Sequence, residues 1–148
     1  MSSGDGIVEL EWADGLYKFK LGIGEIRQLE EKLDEGIFRV YRRLELANKG
    51  REYWMAADLS AGHVFETVRF ALIGGKQIDP TQALKLCNQY VAPHLWSNIP
   101  VAFALATAAI EQVAGDPVGK PPAAGSTSKA PTGTDASPSP QSTEPELS

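Results

Sequence analysis

Residues Ile7 to Trp12 alternate apolar and polar side chains, and Leu16 to Leu21 do the same. Between the two runs stands Ala13-Asp14-Gly15. Asp-Gly between alternating runs predicts a β-hairpin, because glycine takes positive φ freely and aspartate tolerates it. Side chains two apart share a face, so Tyr17, Phe19 and Leu21 are predicted inward, with Lys18 and Lys20 outward. The flanking Glu9 and Glu11 place Trp12 on the outer face in this reading. A lone hairpin is marginal in water and must pack on something. The rest of the chain offers only helical patterns.

Ile26, Leu29 and Leu33 recur at helical spacing and predict a helix over 24–35, stopped by Gly36. Ile37, Val40, Tyr41 and Leu44 predict a second over 37–48. The stretch REYWMAA, residues 51–57, reads as a connector carrying Trp54 and Met55. A third helix is predicted over 58–73, with Asp58 as N-cap and Ala61, Phe65, Val68 and Leu72 along one face. Gly74-Gly75 then reads as its C-terminal cap. Asp79-Pro80-Thr81-Gln82 is a capping-box-like start for a fourth helix, ended by Pro93. A fifth begins near Ser97-Asn98 and runs through an alanine-rich stretch to Gly115. The predicted fold class is mainly α (α+β): an N-terminal β-hairpin packed on about five helices. Leu29, Leu33, Val68, Leu72, Leu84, Leu86 and Val91 form the predicted core.

Composition then divides the chain of 148 residues. Residues 116–148 hold seven of the ten prolines, ten Ser/Thr and no aromatic residue. Such a segment buries too little apolar area to offset its ordering entropy, so it is expected to be a disordered C-terminal tail. Residues 7–115 are the expected folded domain. Charge excludes one class of partner. The first 115 residues carry twelve Lys/Arg against fifteen Asp/Glu, and the tail two against four. Neither part offers the concentrated positive face that nucleic-acid binding requires. Arg39, Arg42 and Arg43 lie close to Glu30, Glu31, Asp34 and Glu35, which reads as a solvated helix surface. The longest apolar run, Val101 to Ile110, is too short to span a bilayer. No signal peptide is visible at the N-terminus, so a cytoplasmic location is expected.

Each candidate chemical motif has a plainer reading. Gly22-Ile23-Gly24 follows a strand and precedes a helix, but Arg27 stands where a dinucleotide fingerprint has its third glycine. Gly74-Gly75-Lys76 lacks the earlier glycine of a phosphate loop and follows a helix, whose exposed end groups are carbonyls that repel phosphate. The single cysteine, Cys87, lies on an apolar helix face and reads as a core thiol. His63 and His94 lack metal-ligand spacing. No enzyme activity, cofactor or metal is expected. Trp54 and Trp96 lie outside the apolar stripes; tryptophan in such places either marks a binding surface or roofs a small core. Together with Ile73, Gly74 and Gly75 at the corner after the third helix, they are the candidate partner-binding residues.

The order ELEWADGLYKFKLGIGEIRQLEEKLDEGI, VYRRL, ETVRFALIGG, YV and a final alanine-rich helix resembles the gene transfer agent and phage tail assembly chaperone family, also named tail tube-like proteins of gene transfer agents. The resemblance covers residues 7–115. It implies a non-enzymatic protein that binds the tape measure protein during tail morphogenesis. The alternative it implies is a structural tail component retained in the particle. The implied partners are the tape measure protein, the tail tube subunit and further copies of the chain itself. The implied location is the bacterial cytoplasm or the virion.

Overall fold

The computed structural model describes residues 6–115. The tail expected over 116–148 lies outside them. The compact body ends at Gln112.

Strand β1 (Val8–Trp12) pairs antiparallel with β2 (Gly15–Phe19), with Val8 opposite Phe19 and Trp12 opposite Gly15. The turn is therefore Ala13-Asp14, one residue earlier than the Asp-Gly signal suggested. Ala13 takes the left-handed conformation at φ 57, and Gly15 is a strand residue. This register puts Trp12 on the same face as Val8 and Leu10, since alternate residues share a side. Trp12 is consequently buried, not outward. Its ring meets Tyr17 and Phe19 edge-on, each at 5.7 Å between centroids. Its indole N–H donates to the Asn98 side-chain oxygen at 2.8 Å. The Asn98 amide donates in turn to the Tyr90 and His94 carbonyls. Its large apolar body and its one buried donor thus bind the hairpin to the start of the last helix.

Among the described residues six α-helices follow: α1 (Ile23–Leu33), α2 (Ile37–Ala47), α3 (Trp54–Ala57), α4 (Ala61–Gly75), α5 (Pro80–Tyr90) and α6 (Ile99–Gly115). The sixth is α3, a single turn inside the expected connector. Asp58 ends α3 in the left-handed conformation, at φ 51, so it does not cap α4. Ser60 does, accepting from the His63 N–H. The capping box at Asp79 and Gln82 forms as its sequence implied, with Gln82 N–H to Asp79 at 2.8 Å. Most of the expected core is fully buried: Leu29, Val68, Leu72 and Val91. Leu33 and Leu86 are half-buried against it. Leu84 is a correction, being 43 % exposed. Helix α5 instead turns Ala83 and Cys87 inward, and small residues four apart let it approach α4 closely.

The glycine pair is where the hairpin meets the helices. Gly74 and Gly75 belong to α4, and the left-handed cap is Lys76 at φ 60. The expected capping role therefore passes to Lys76. A Cβ on Gly74 would stand 1.9 Å from the Lys20 carbonyl oxygen, and one on Gly75 would stand 2.0 Å from that of Lys18. Without side chains, the last turn of α4 lies directly against the backbone of β2. The outer edge of that strand is satisfied at the same seam. Lys20 N–H donates to the Ala71 carbonyl at 2.9 Å. Lys18 N–H donates to the Gln77 side chain at 2.9 Å, and the Gln77 amide returns a bond to the Leu16 carbonyl. An edge strand is thereby paired to a helix end and one glutamine.

Candidate partner-binding surface

Tertiary folding joins two tryptophans that lie far apart in the chain. Trp54 opens α3, and Trp96 sits in the short helical turn before α6. Their rings stack at 5.0 Å between centroids and 26° between planes. Trp54 is half-buried and is held by its N–H bond to the Ala47 carbonyl at 3.1 Å, with the Arg51 guanidinium over its ring at 5.5 Å. Trp96 is 44 % exposed and Met55 is 93 % exposed. With Asp58 and Leu59 they line an open depression of about 370 Å³. An aromatic floor fixed by a hydrogen bond, beside a flexible exposed methionine, is suited to gripping apolar side chains of varied shape.

The other three candidate residues lie elsewhere. Ile73, Gly74 and Gly75 are at the far end of α4, about 20 Å from its start at 1.5 Å per residue. Ile73 is half-buried in the core, and the space over both glycines is filled by β2. The structure unites Trp54 with Trp96 and places the glycine corner in an internal seam. The helix-end carbonyls and strand carbonyls facing it are the wrong polarity for phosphate.

The charged residues of α1 and α2 are not simply a solvated face. Glu35, just past α1, is 16 % exposed and accepts from Arg43 at 2.6 Å. Arg43 also donates to the Ala57 and Asp58 carbonyls, so one side chain closes the end of α3. Glu35 reaches the His63 Nε2 as well, at 2.7 Å. On the other side of that ring, Nδ1 lies 2.8 Å from the Ser60 backbone N–H and 3.0 Å from the Ser60 hydroxyl. A backbone N–H can only donate, so Nδ1 is the acceptor and Nε2 carries the proton to Glu35. Ser60, His63 and Glu35 thus form a chain resembling a hydrolytic triad in composition. Its base lone pair is already engaged by a backbone amide, so the hydroxyl has no free proton acceptor. The arrangement caps α4 and ties it to α1 and α2. Sequence reading missed it because His63 and Glu35 lie far apart in sequence. The Arg43 guanidinium holds the Glu35 carboxyl below its ordinary value of 4.5, with His63 assisting. Among the described residues no group of His, Cys, Asp and Glu side chains is placed to hold a metal ion.

Cys87 is fully buried, and loss of hydration pushes its thiol up to about 12. The thiolate is the reactive form. In the native protein Cys87 should react with a disulfide reagent far more slowly than after addition of denaturant. A fast native reaction would contradict the core packing of α5.

The described residues define a class: a β-hairpin packed against a helical body, with an exposed aromatic–methionine surface. A family model described as "Phage tail tube protein, GTA-gp10" matches residues 5–112, which is the whole compact body. The chain belongs to that phage tail family. No curated protein and no solved structure matches the chain. No helix among the described residues is long and apolar enough to cross a membrane.

Proposed function

We propose that this protein is a structural component of a phage-type tail, retained in the particle by contacts with tail tube subunits or further copies of itself. The observation that supports this is the family match across the compact body. The surface around Trp54, Met55 and Trp96 supplies the contact, since exposed aromatic and methionine side chains are those that anchor protein interfaces. Mass spectrometry of purified particles tests the reading. Stoichiometric presence is expected, and replacing both Met55 and Trp96 by Asp should lower incorporation at least tenfold, the loss of about 1.4 kcal/mol or more. Absence from intact particles overturns it.

A second reading is a chaperone that holds the tape measure protein before assembly. The shallow, open form of the Trp54–Trp96 depression favours it, because such a surface can take one apolar helix face and release it. Co-expression with the tape measure protein distinguishes the two. A soluble complex, with no copies in finished particles, would establish the chaperone reading instead.

A further inference from the structure

We propose that the outer edge of β1 is a docking site for an extended segment of another protein, one that alternates apolar and basic residues. In an antiparallel pair closed by a two-residue turn, the residues flanking the turn exchange hydrogen bonds, and every second pair does so again. Trp12–Gly15, Leu10–Tyr17 and Val8–Phe19 are therefore the bonded pairs. The backbones of Glu9 and Glu11 must then point away from β2, as those of Leu16, Lys18 and Lys20 point away from β1. On the β2 side this is observed directly, in the bonds to Gln77 and Ala71. On the β1 side the outward groups of Glu9 and Glu11 find no backbone or side-chain partner among the described residues. One edge of the sheet is covered by α4; on the other, Glu9 and Glu11 are exposed and unbonded among the described residues.

A second observation lies beside that edge. Val8 and Leu10 form one wall of a groove of about 310 Å³, and Phe103, Ala104, Thr107 and Ala108 of α6 form the other. Ala104 is exposed and small, which keeps the groove open, and Phe103 is fixed by stacking on Tyr41 at 5.8 Å. A strand added to β1 would continue the Val8/Leu10 face, so every second side chain would enter this apolar groove. Its other side chains would line up with Glu9 and Glu11, and its end would meet Glu111, which also borders the groove. All three are acidic. Opposite charges across a strand pair stabilise and like charges destabilise, so the guest needs Lys or Arg at these positions. Within the hairpin itself Lys18 stands opposite Glu9. The same rule disfavours a second copy docking through its own β1, which would set glutamates against glutamates.

The test uses the full chain and an end-blocked peptide, GLYKFKLG, copied from residues 15–22, with GLYEFELG as its acidic counterpart. Amide hydrogen exchange is read residue by residue. The lysine peptide is expected to slow exchange at Glu9 and Glu11 at least about tenfold, leaving the already bonded Lys18 amide unchanged. Glu11→Pro removes an outward N–H without removing a ladder bond, and proline is tolerated on an edge strand. It should abolish the effect. Should that variant fail to fold, E9K/E11K carries the test and should bind GLYEFELG in preference. No slowing at Glu9 and Glu11, or equal binding of both peptides to the native chain, overturns the proposal. So does concentration-dependent protection of these amides without peptide, which would identify a second copy as the occupant.

Discussion

Gly74→Ala should destabilise the domain by about 3 kcal/mol and lower its melting temperature by roughly 10–15 °C, the scale expected for overpacking in a domain of this size. Intrinsic helix propensity predicts the opposite sign. Alanine inside a helix is favoured over glycine by about 1 kcal/mol, and Gly74 is a residue of α4. Sterics decide against propensity because the atom in the way is not a side chain that can rotate. It is the Lys20 carbonyl oxygen, 1.9 Å from the new Cβ, just past the end of β2, where the Lys20 N–H bond to Ala71 depends on the same approach. Relief requires β2 to lift away from α4. Gly75→Ala should behave alike, against Lys18. Gly24→Ala is the control: nothing lies within 4 Å of its Cβ position in α1, so propensity should prevail and stability should be unchanged or rise. Thermal melts followed by circular dichroism check all three. A neutral or stabilising Gly74→Ala would refute the helix–strand seam.

The second large effect concerns Arg43. Arg43→Met should cost about 2–3 kcal/mol, because it leaves the half-buried Glu35 without its main partner and the Ala57 and Asp58 carbonyls without a donor. Both partners are under one-fifth exposed, at 18 % and 16 %, so water replaces the lost bonds poorly. Removing both charges in Arg43→Met/Glu35→Gln should cost less than the sum of the single changes, since no uncompensated carboxylate remains. The same contact sets the acid response. The Glu35 carboxyl is lowered in the folded protein, chiefly by its bond from Arg43. A lowered carboxyl binds its proton more tightly in the unfolded chain than in the folded one. Its contribution is therefore complete above the ordinary value of 4.5 and is lost as pH falls below that value through the folded one. Urea denaturation as a function of pH should show this loss in the native protein and a shallower acid limb in Glu35→Gln. Equal slopes would remove Glu35 from the account of acid stability.

Much of the architecture is legible in local pattern. Strand alternation marks both strands, and 3.6-residue spacing marks α1, α2, α4 and α5 because one face of each must leave water. Asp79-Pro80-Thr81-Gln82 starts a helix for reasons contained within four residues. The turn falls at Ala13-Asp14 because Asp-Gly is only a local preference, whereas the register is set by burying Trp12 against Asn98. Ser60 rather than Asp58 caps α4 because Asp58 is used to end α3, a turn too short to show a period.

The sequence by itself determined the hairpin-plus-helices composition and the family. Those follow from interactions between near neighbours and from totals, which need no fold to be read. Only the tertiary structure decided what the special residues do. It set Gly74 and Gly75 under a strand rather than at a helix cap, because a glycine's missing side chain matters only when something approaches it. It joined Trp54 to Trp96 and Glu35 to Arg43 and His63, because stacking and hydrogen bonding act at a few ångströms in space, and chain separation carries no record of that distance.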